Sequence, residues 1–457
     1  MTVLVDHDLE VEDTTPGSAE AFLFGLLTHP YIDVMRYSDD GPPVELERAE
    51  TPWGHKYVPG WAVRGDRSED GEVREFTSGG DASYALHALH GNAAHIARIR
   101  TDHPSYGDIP PDEAVRKREA DAIAALIAEG IGADLHITRR EYLSGDSGHK
   151  GRGVTFCTPE EALPLVGLYL RRQGVFLYFR AVDGFQYRCS ERIYFFTGAL
   201  ELLPEIWRWS NACAQHAEAS GDDSLPALSS SLVQRVERVL QSRDDLFAAL
   251  NSRGSSGMDA LLRSLDTALI FMMGALDVSA RVAHRVLGVS GAMRNAGWQS
   301  PQWLARVSTL APPLAQVFAD GSDAQHLLEI LRKFRNSVHS EAITPLSLKD
   351  GSAPERIMVS LPRDDLTVIL SSMDALGGRD AWGVDSRWEG RMHADPEKIL
   401  ELTFQRVLEI LNAIMRETPV ETLPGVHLTP ANCAPPNNPS DRYSEMQRQG
   451  VRWQLGL

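Results

Sequence analysis

Apolar positions follow two rhythms along this chain, and the balance between them changes near residue 200. Thr2–Val5 is a short β-branched start, and Ala19–Leu27 is an apolar, helix-compatible stretch. Residues 41–80 turn to Pro, Gly and charge around Trp53, Tyr57 and Trp61, which reads as an irregular insertion or small hairpins. A helix is predicted from Asp81 to about Arg100. Glu113–Gly130 is a second, with Ala122, Ile123, Leu126 and Ile127 on one stripe and Gly130 and Gly132 to stop it. Ala133–Thr138 and Val154–Cys157 read as buried strands joined by a loop. Thr158, Pro159, Glu160 and Glu161 then open a further helix, with Pro at its first position and carboxylates in its first turn. Helix, strand, loop, strand, helix is the local grammar of a parallel sheet, so residues 1–204 are predicted as an α/β domain. The aromatic-rich Gly174–Phe196 stretch reads as more strands or a hairpin.

Beyond residue 204 the spacing is mostly helical. Residues 205–257 read as a helical connector with breaks at Gly221–Ser224 and Ser252–Gly257. Met258–Leu287 is apolar on most faces, as a helix inside a bundle must be. Ala324–Ser340 and Pro396–Arg416 are predicted to pack on it, burying Leu269, Phe271, Leu276, Leu328, Leu331, Leu408 and Leu411. Ser300 is placed to cap another helix, and Ile357–Leu361 reads as a strand. Residues 258–420 are therefore predicted as an all-α bundle, and the Pro/Asn-rich 421–457 as an extended tail.

Composition narrows the function classes. At 457 residues the chain is long enough for two or three domains of ~150 residues. With 43% hydrophobic and 24% charged residues, global disorder is excluded. Lys and Arg number 45 against 63 Asp and Glu, and the net charge of −18 excludes a generic basic nucleic-acid coat protein. It leaves a local nucleic-acid site open. The longest apolar run, Ala268–Leu276, ends at Asp277, far short of the ~18–20 residues a membrane span needs. The N-terminus shows no basic stretch, and the four cysteines lie far apart with no C-x-x-C, so the reading is cytoplasmic.

Candidate chemistry begins in the segment 119–163. Asp121 lies in a predicted helix, and Glu141 stands just past the strand that follows it. Strand ends in parallel sheets are where ligand sites form, and clustered carboxylates suit a hard cation such as Mg²⁺. Over these ~45 residues the stretch around Glu119-Ala-Asp121, Gly132-Ala-Asp134-Leu and Thr138 resembles the PIN-like nuclease family. That family places one acidic metal ligand at a helix start and another after the strand, matched here by Asp121 and by Glu141. Its first Asp ends the first strand, matched by Asp6. The resemblance implies a PIN-like fold, bound Mg²⁺ or Mn²⁺ and RNA cleavage. After Thr138 the family usually carries Asp or Asn, where this chain has Arg139 and Arg140. From spacing alone, Asp121 also reads as a helix N-terminal carboxylate and Glu141 as a solvated loop residue.

A second constellation is Arg335-Asn336-x-x-His339, late in a helix. It resembles the HEPN family of helical bundles, known for an Arg-Asn…His motif in metal-independent RNases, over roughly residues 256–418. The resemblance implies that Arg335 holds a scissile phosphate, His339 moves the proton and Asn336 orients them, in a homodimer with paired motifs. The family has four to six residues between Arg and His. Arg335 leaves three and Arg332 leaves six. A brace at a helix junction is the other reading of these three residues.

The rest is weaker. His87, His90 and His95 could share a polar helix face, with no convincing fourth zinc ligand nearby. Arg116 to Arg118, Arg139-Arg140 and Arg171-Arg172 reverse the local charge around the first constellation, as phosphate contact or as solvated helix faces. Trp207 and Trp209 read as packing residues. The expectation is a nucleic-acid-cleaving protein in a toxin or defence setting. The alternative is a non-catalytic assembly or nucleic-acid-binding protein whose bundle dimerises.

Overall fold

The β-branched run at the start of the chain becomes the centre of a sheet, not its edge. In the computed structural model, which describes residues 1–6, 9, 18–39, 49–50, 56–57, 60–69, 71–80, 84–99, 104–144, 153–177, 179–180, 186–250, 255–337, 343–348, 356–388, 391–436 and 444–457, the N-terminal strands are Thr2–Asp6 (β1), Asp33–Ser38 (β2), Ala49–Glu50 (β3), Lys56–Tyr57 (β4), Gly60–Arg64 (β5), Glu75–Gly79 (β6), Tyr84–Ala88 (β7), Leu135–Ile137 (β8) and Thr155–Cys157 (β9). Seven of them form one sheet in the order β7-β6-β5-β2-β1-β8-β9. From β5 to β9 the pairing is parallel, and β6 and β7 add an antiparallel edge. The chain leaves β1 towards β2 on one side and returns through β8 on the other. The carboxyl end of β1 is therefore the point where strand order reverses.

Helices Ala19–Leu27 (α1), Ala93–Ile99 (α2), Pro111–Gly130 (α3) and Pro159–Arg172 (α4) accompany the sheet. The start of α4 is a full capping box. Thr158 Oγ1 accepts from the Glu161 amide at 3.3 Å, and Glu161 Oε2 accepts from the Thr158 amide at 2.9 Å. In α3 every residue from Ala122 to Ala128 is buried, so the helix is enclosed and not striped. It packs with Leu4, Tyr37, Ala62 and Phe76 of the sheet. Two expectations are corrected. The 60–80 part of the predicted insertion supplies β5 and β6 to the main sheet. The predicted helix from Asp81 is instead β7, a turn and α2, with Asp81 itself outside the described residues. His87 therefore lies on a strand, its ring stacked on Phe76 at 4.7 Å and bonded to Ser78 Oγ at 2.8 Å.

The chain divides into two compact units, Met1–Glu191 with Gln449–Leu457, and Arg192–Arg448. A two-residue ladder, Phe179–Arg180 (β10) with Gln186–Tyr187 (β11), closes the strands of the first. The second unit is helix-rich, with Glu191–Leu202 (α5), Ile206–Ser220 (α6), Ser224–Leu250 (α7), Ser255–Val286 (α8), Pro301–Leu310 (α9), Pro312–Gln316 (α10), Asp323–Ser337 (α11), Leu366–Ala375 (α12) and Pro396–Glu417 (α13). It also holds a four-stranded antiparallel sheet of Pro345–Leu348 (β12), Arg356–Ser360 (β13), Asp385–Trp388 (β14) and Arg391–Ala394 (β15), of which the sequence showed only β13. Helices α8, α11 and α13 pack together as expected, burying Leu269, Leu276, Leu328, Leu331, Leu408 and Leu411. Phe271 is only half-buried.

The 205–257 stretch is an integral part of this bundle. Trp209 is fully buried and donates from Nε1 to the Met415 carbonyl at 2.9 Å. Arg208 caps the same helix end through the carbonyls of Met415 and Thr418, at 2.6 and 3.0 Å. Nor is the tail simply extended. Its first part lies along α6, where Asn211 Nδ2 reaches the Asn432 carbonyl at 2.8 Å. Its last part is a helix, Glu445–Leu455 (α14), and within the N-terminal unit Trp453 sits 5.4 Å from Phe22.

Candidate functional site: three carboxylates around one arginine

Alternation along β1 puts Asp6 on the same face as Leu4, beneath α3. The registers Asp6↔Tyr37 and Val5↔Ile137 set β2 and β8 on either side of it. The chain leaving β8 then carries Thr138 and Arg140 over the end of β1. Asp6 is 4% exposed. Its Oδ1 accepts from His136 Nε2 at 2.9 Å, and its Oδ2 from Thr138 Oγ1 at 2.5 Å and Arg140 Nε at 2.9 Å.

The other two guanidinium nitrogens of Arg140 find two more carboxylates. One donates to Asp121 Oδ1 at 3.2 Å, the other to Asp39 Oδ2 at 2.9 Å. The remaining oxygens are taken by phenols, Tyr106 on Asp121 at 2.7 Å and Tyr37 on Asp39 at 2.6 Å. All six carboxylate oxygens are thus engaged, and the Arg140 guanidinium also lies 5.6 Å from the Tyr37 ring centre. Arg64 adds a second cation beside Asp39, at 3.8 Å.

Burial drives these groups apart in acidity. Desolvation would raise Asp6, but the hydrogen bond and charge of His136, the charge of Arg140 and the Thr138 hydroxyl outweigh it and hold the carboxyl at about 2. For Asp121 desolvation prevails over the bonds from Tyr106 and Arg140, and its pKa is raised. Arg140 is desolvated too, yet Asp6 and Asp39 raise it above its ordinary value, so it stays charged. His136 is fully buried, and its Nδ1 has no hydrogen-bond partner among the described residues.

Asp6 and Asp121 are therefore brought together, though Asp121 lies in the middle of α3 and not at a helix start, because the helix already begins at Pro111. Glu141 is not brought in. Tyr142 and Leu143 are buried and pin the turn, which leaves Arg139 and Glu141 exposed and Arg140 directed inward. Asp39 was missed. It follows β2 as Asp6 ends β1, and reading Val34–Ser38 as a strand would have exposed the parallel. Of the basic clusters, Arg118 is buried over the Tyr106 ring and Arg171 is buried on the Gln454 carbonyl. Both are structural.

The Mg²⁺ or Mn²⁺ that a PIN-like site implies does not fit this arrangement. A hard cation needs free carboxylate oxygens at its centre, and there the Arg140 guanidinium already bonds all three acids. Among the described residues no group of three or more His, Cys, Asp or Glu is arranged to hold a metal ion. In the helical unit Arg335 and Asn336 are exposed in the last turn of α11, and His339 lies outside the described residues. Arg335 thus stands at the end of a helix and outside the core, with phosphate contact and a brace at the helix junction both still open to it. Nearby, a cavity of about 280 Å³ is lined by Leu276, Asp277, Asn295, Trp298 and Leu328. Burial raises the pKa of Asp277 against the charges of Arg335, Arg281 and Arg235.

Compared with known protein families, curated proteins and solved structures, the chain matches none. Among the described residues no helix is long and apolar enough to cross a membrane.

The Asp6 cluster makes a pH-dependent contribution whose sign follows from its direction. A carboxyl held at about 2 against an ordinary 3.8 stabilises the fold above the ordinary value, and that stability is lost as pH falls through 2. The contribution is about 2 kcal/mol at neutral pH. In urea unfolding of the N-terminal unit, the gap between wild type and Asp6→Asn should be narrower near pH 2.5 than at pH 7, by up to about that amount. A gap of the same size at both pH values would contradict this account.

Proposed function

We propose that this chain is a non-catalytic assembly protein, with a PIN-like N-terminal unit whose acidic site is neutralised by its own arginine and a HEPN-like helical unit beside it in sequence. The observation that carries this reading is Arg140, bonded at once to Asp6, Asp39 and Asp121. A site that hydrolyses phosphodiesters with a metal must present its carboxylates to the ion. Here they are presented to a guanidinium, and the electrostatic work is spent on holding three chain segments together.

Metal-dependent ribonuclease activity is the competing reading, favoured by Asp6 and Asp39 at the carboxyl ends of the neighbouring parallel strands β1 and β2, with Asp121 brought beside them from α3. Incubating purified protein with single-stranded and structured RNA, in Mg²⁺, Mn²⁺ or excess chelator, separates the two. The assembly reading expects no cleavage above that of a heat-denatured control. Cleavage that needs the metal and disappears in Asp121→Asn would replace it with the nuclease reading. Cleavage that survives the chelator and disappears in Arg335→Ala would move the chemistry to the helical unit.

A further inference from the structure

Among the described residues, the outermost strand of the N-terminal sheet lacks most of the features that usually protect an edge. β7 pairs with β6 on one side, in the register Gly79↔Tyr84 through Glu75↔Ala88, and with no strand on the other among the described residues. Tyr84 and Leu86, at 78% and 63%, are the most exposed large hydrophobic residues among those described. They stand two residues apart and so share one face. Edges are normally blunted by Lys, Pro, charge or a bulge. The segment Tyr84–Ala88 carries no Lys, Pro, Asp or Glu, and its register with β6 is unbroken.

The ladder shows which backbone groups are open. The Leu89 amide donates to the Arg74 carbonyl at 2.8 Å, continuing the β6–β7 register by one step. Antiparallel pairs alternate, so residues 89, 87 and 85 turn their N–H and C=O groups to β6. Tyr84, Leu86 and Ala88 turn theirs outward. On the far side the strand is anchored by His87, stacked on Phe76 and bonded to Ser78. It is thus a fixed rail and not a loose end.

We infer that β7 is a homodimer contact, in which two copies of this chain pair their β7 edges antiparallel across a two-fold axis. Leu86 then lies opposite Leu86 of the second copy, and Tyr84 opposite Ala88. The three outward residues of each strand supply about six backbone hydrogen bonds, because each such pair exchanges two. The occupant is a second copy for two reasons. An antiparallel edge centred on Leu86 is complementary to itself in donors and acceptors. A chain of net charge −18 repels its own copies over most of its surface, and β7 carries no carboxylate. Five residues a side is a small interface, so association is expected at micromolar concentration. The inference rests on the assembly reading, gives it a surface, and places that surface on the sheet and not on the helical bundle.

Sedimentation velocity of the full chain from ~1 to ~100 μM spans the expected range. Wild type should pass from monomer to dimer. Leu86→Lys puts like charges on the axis, and Leu86→Pro removes an outward N–H that β6 does not use. Each should shift the midpoint at least tenfold, with circular dichroism and melting temperature unchanged. Leu86→Cys should be joined in covalent dimers by a short bis-maleimide, while Tyr31→Cys, on another exposed residue, should not. A wild-type dimer that both Leu86 variants leave intact overturns this contact and leaves the assembly reading standing. A wild type that stays monomeric at every concentration overturns both.

Discussion

Arg140→Ala is expected to destabilise the N-terminal unit by ~3–5 kcal/mol, the usual cost of removing one partner from a buried ion pair. Asp6 and Asp121, at 4% and 2% exposure, would keep their charge or their burial but not both. Asp39 would lose the cation that holds it beside the end of β1. For a unit of ~200 residues this corresponds to a fall in melting temperature of roughly 10 °C. Lysine should rescue only in part. One ammonium is a point charge, whereas the fork of Arg140 meets three carboxylates in three directions. Asp121→Asn in the Arg140→Ala background should recover stability, since the buried charge that lost its partner is then gone. A double-mutant cycle measures that coupling, with ~1–3 kcal/mol expected. If the guanidinium stands where a cation would otherwise stand, millimolar Mn²⁺ should raise the melting temperature of Arg140→Ala and leave wild type unmoved. Loss of less than about 1 kcal/mol in Arg140→Ala would mean that the three acids are solvated well enough without it.

Which parts of this site could be read in advance follows from how far each residue depends on distant partners. The α3 helix, β8, β9 and the Thr158 cap depend on neighbours three or four residues away, and their spacing was sufficient. Asp6 and Asp121 were also legible, because carboxylates next to strand and helix signals have few roles. The error of one residue between Glu141 and Arg140 has a plain cause. Buried Tyr142 and Leu143 set the phase of the turn, and their burial is decided by α3 and not by the turn itself. Asp39 depends on β2 pairing in register with β1, a contact between residues about thirty apart. The misreading of 84–99 is of another kind. Tyr84–His90 is rich in Ala, Leu and His, residues that tolerate a helix, and pairing with β6 overrides that propensity. The α14 helix was obscured by the Pro/Asn-rich stretch that precedes it.

In the helical unit the largest single loss is expected from Phe334→Ala, one residue away from the motif arginine. Phe334 is fully buried on α11 with Leu327, Ile330 and Leu331, and α11 packs against α8, α12 and α13. Truncating such a ring removes its transfer energy and leaves a cavity, for ~3–5 kcal/mol. Arg335→Ala should cost less than about 1 kcal/mol, because the side chain is exposed and gives up a favourable charge in the last turn of its helix and one of three cationic neighbours of Asp277. Urea unfolding followed through the helical unit compares the two directly. The pairing separates a motif that braces the bundle from one that merely sits on it. Comparable losses in both variants would mark Arg335 as a structural brace. A large loss in Phe334→Ala alone places the bundle's stability in the apolar packing around α11 and leaves Arg335 as a surface group.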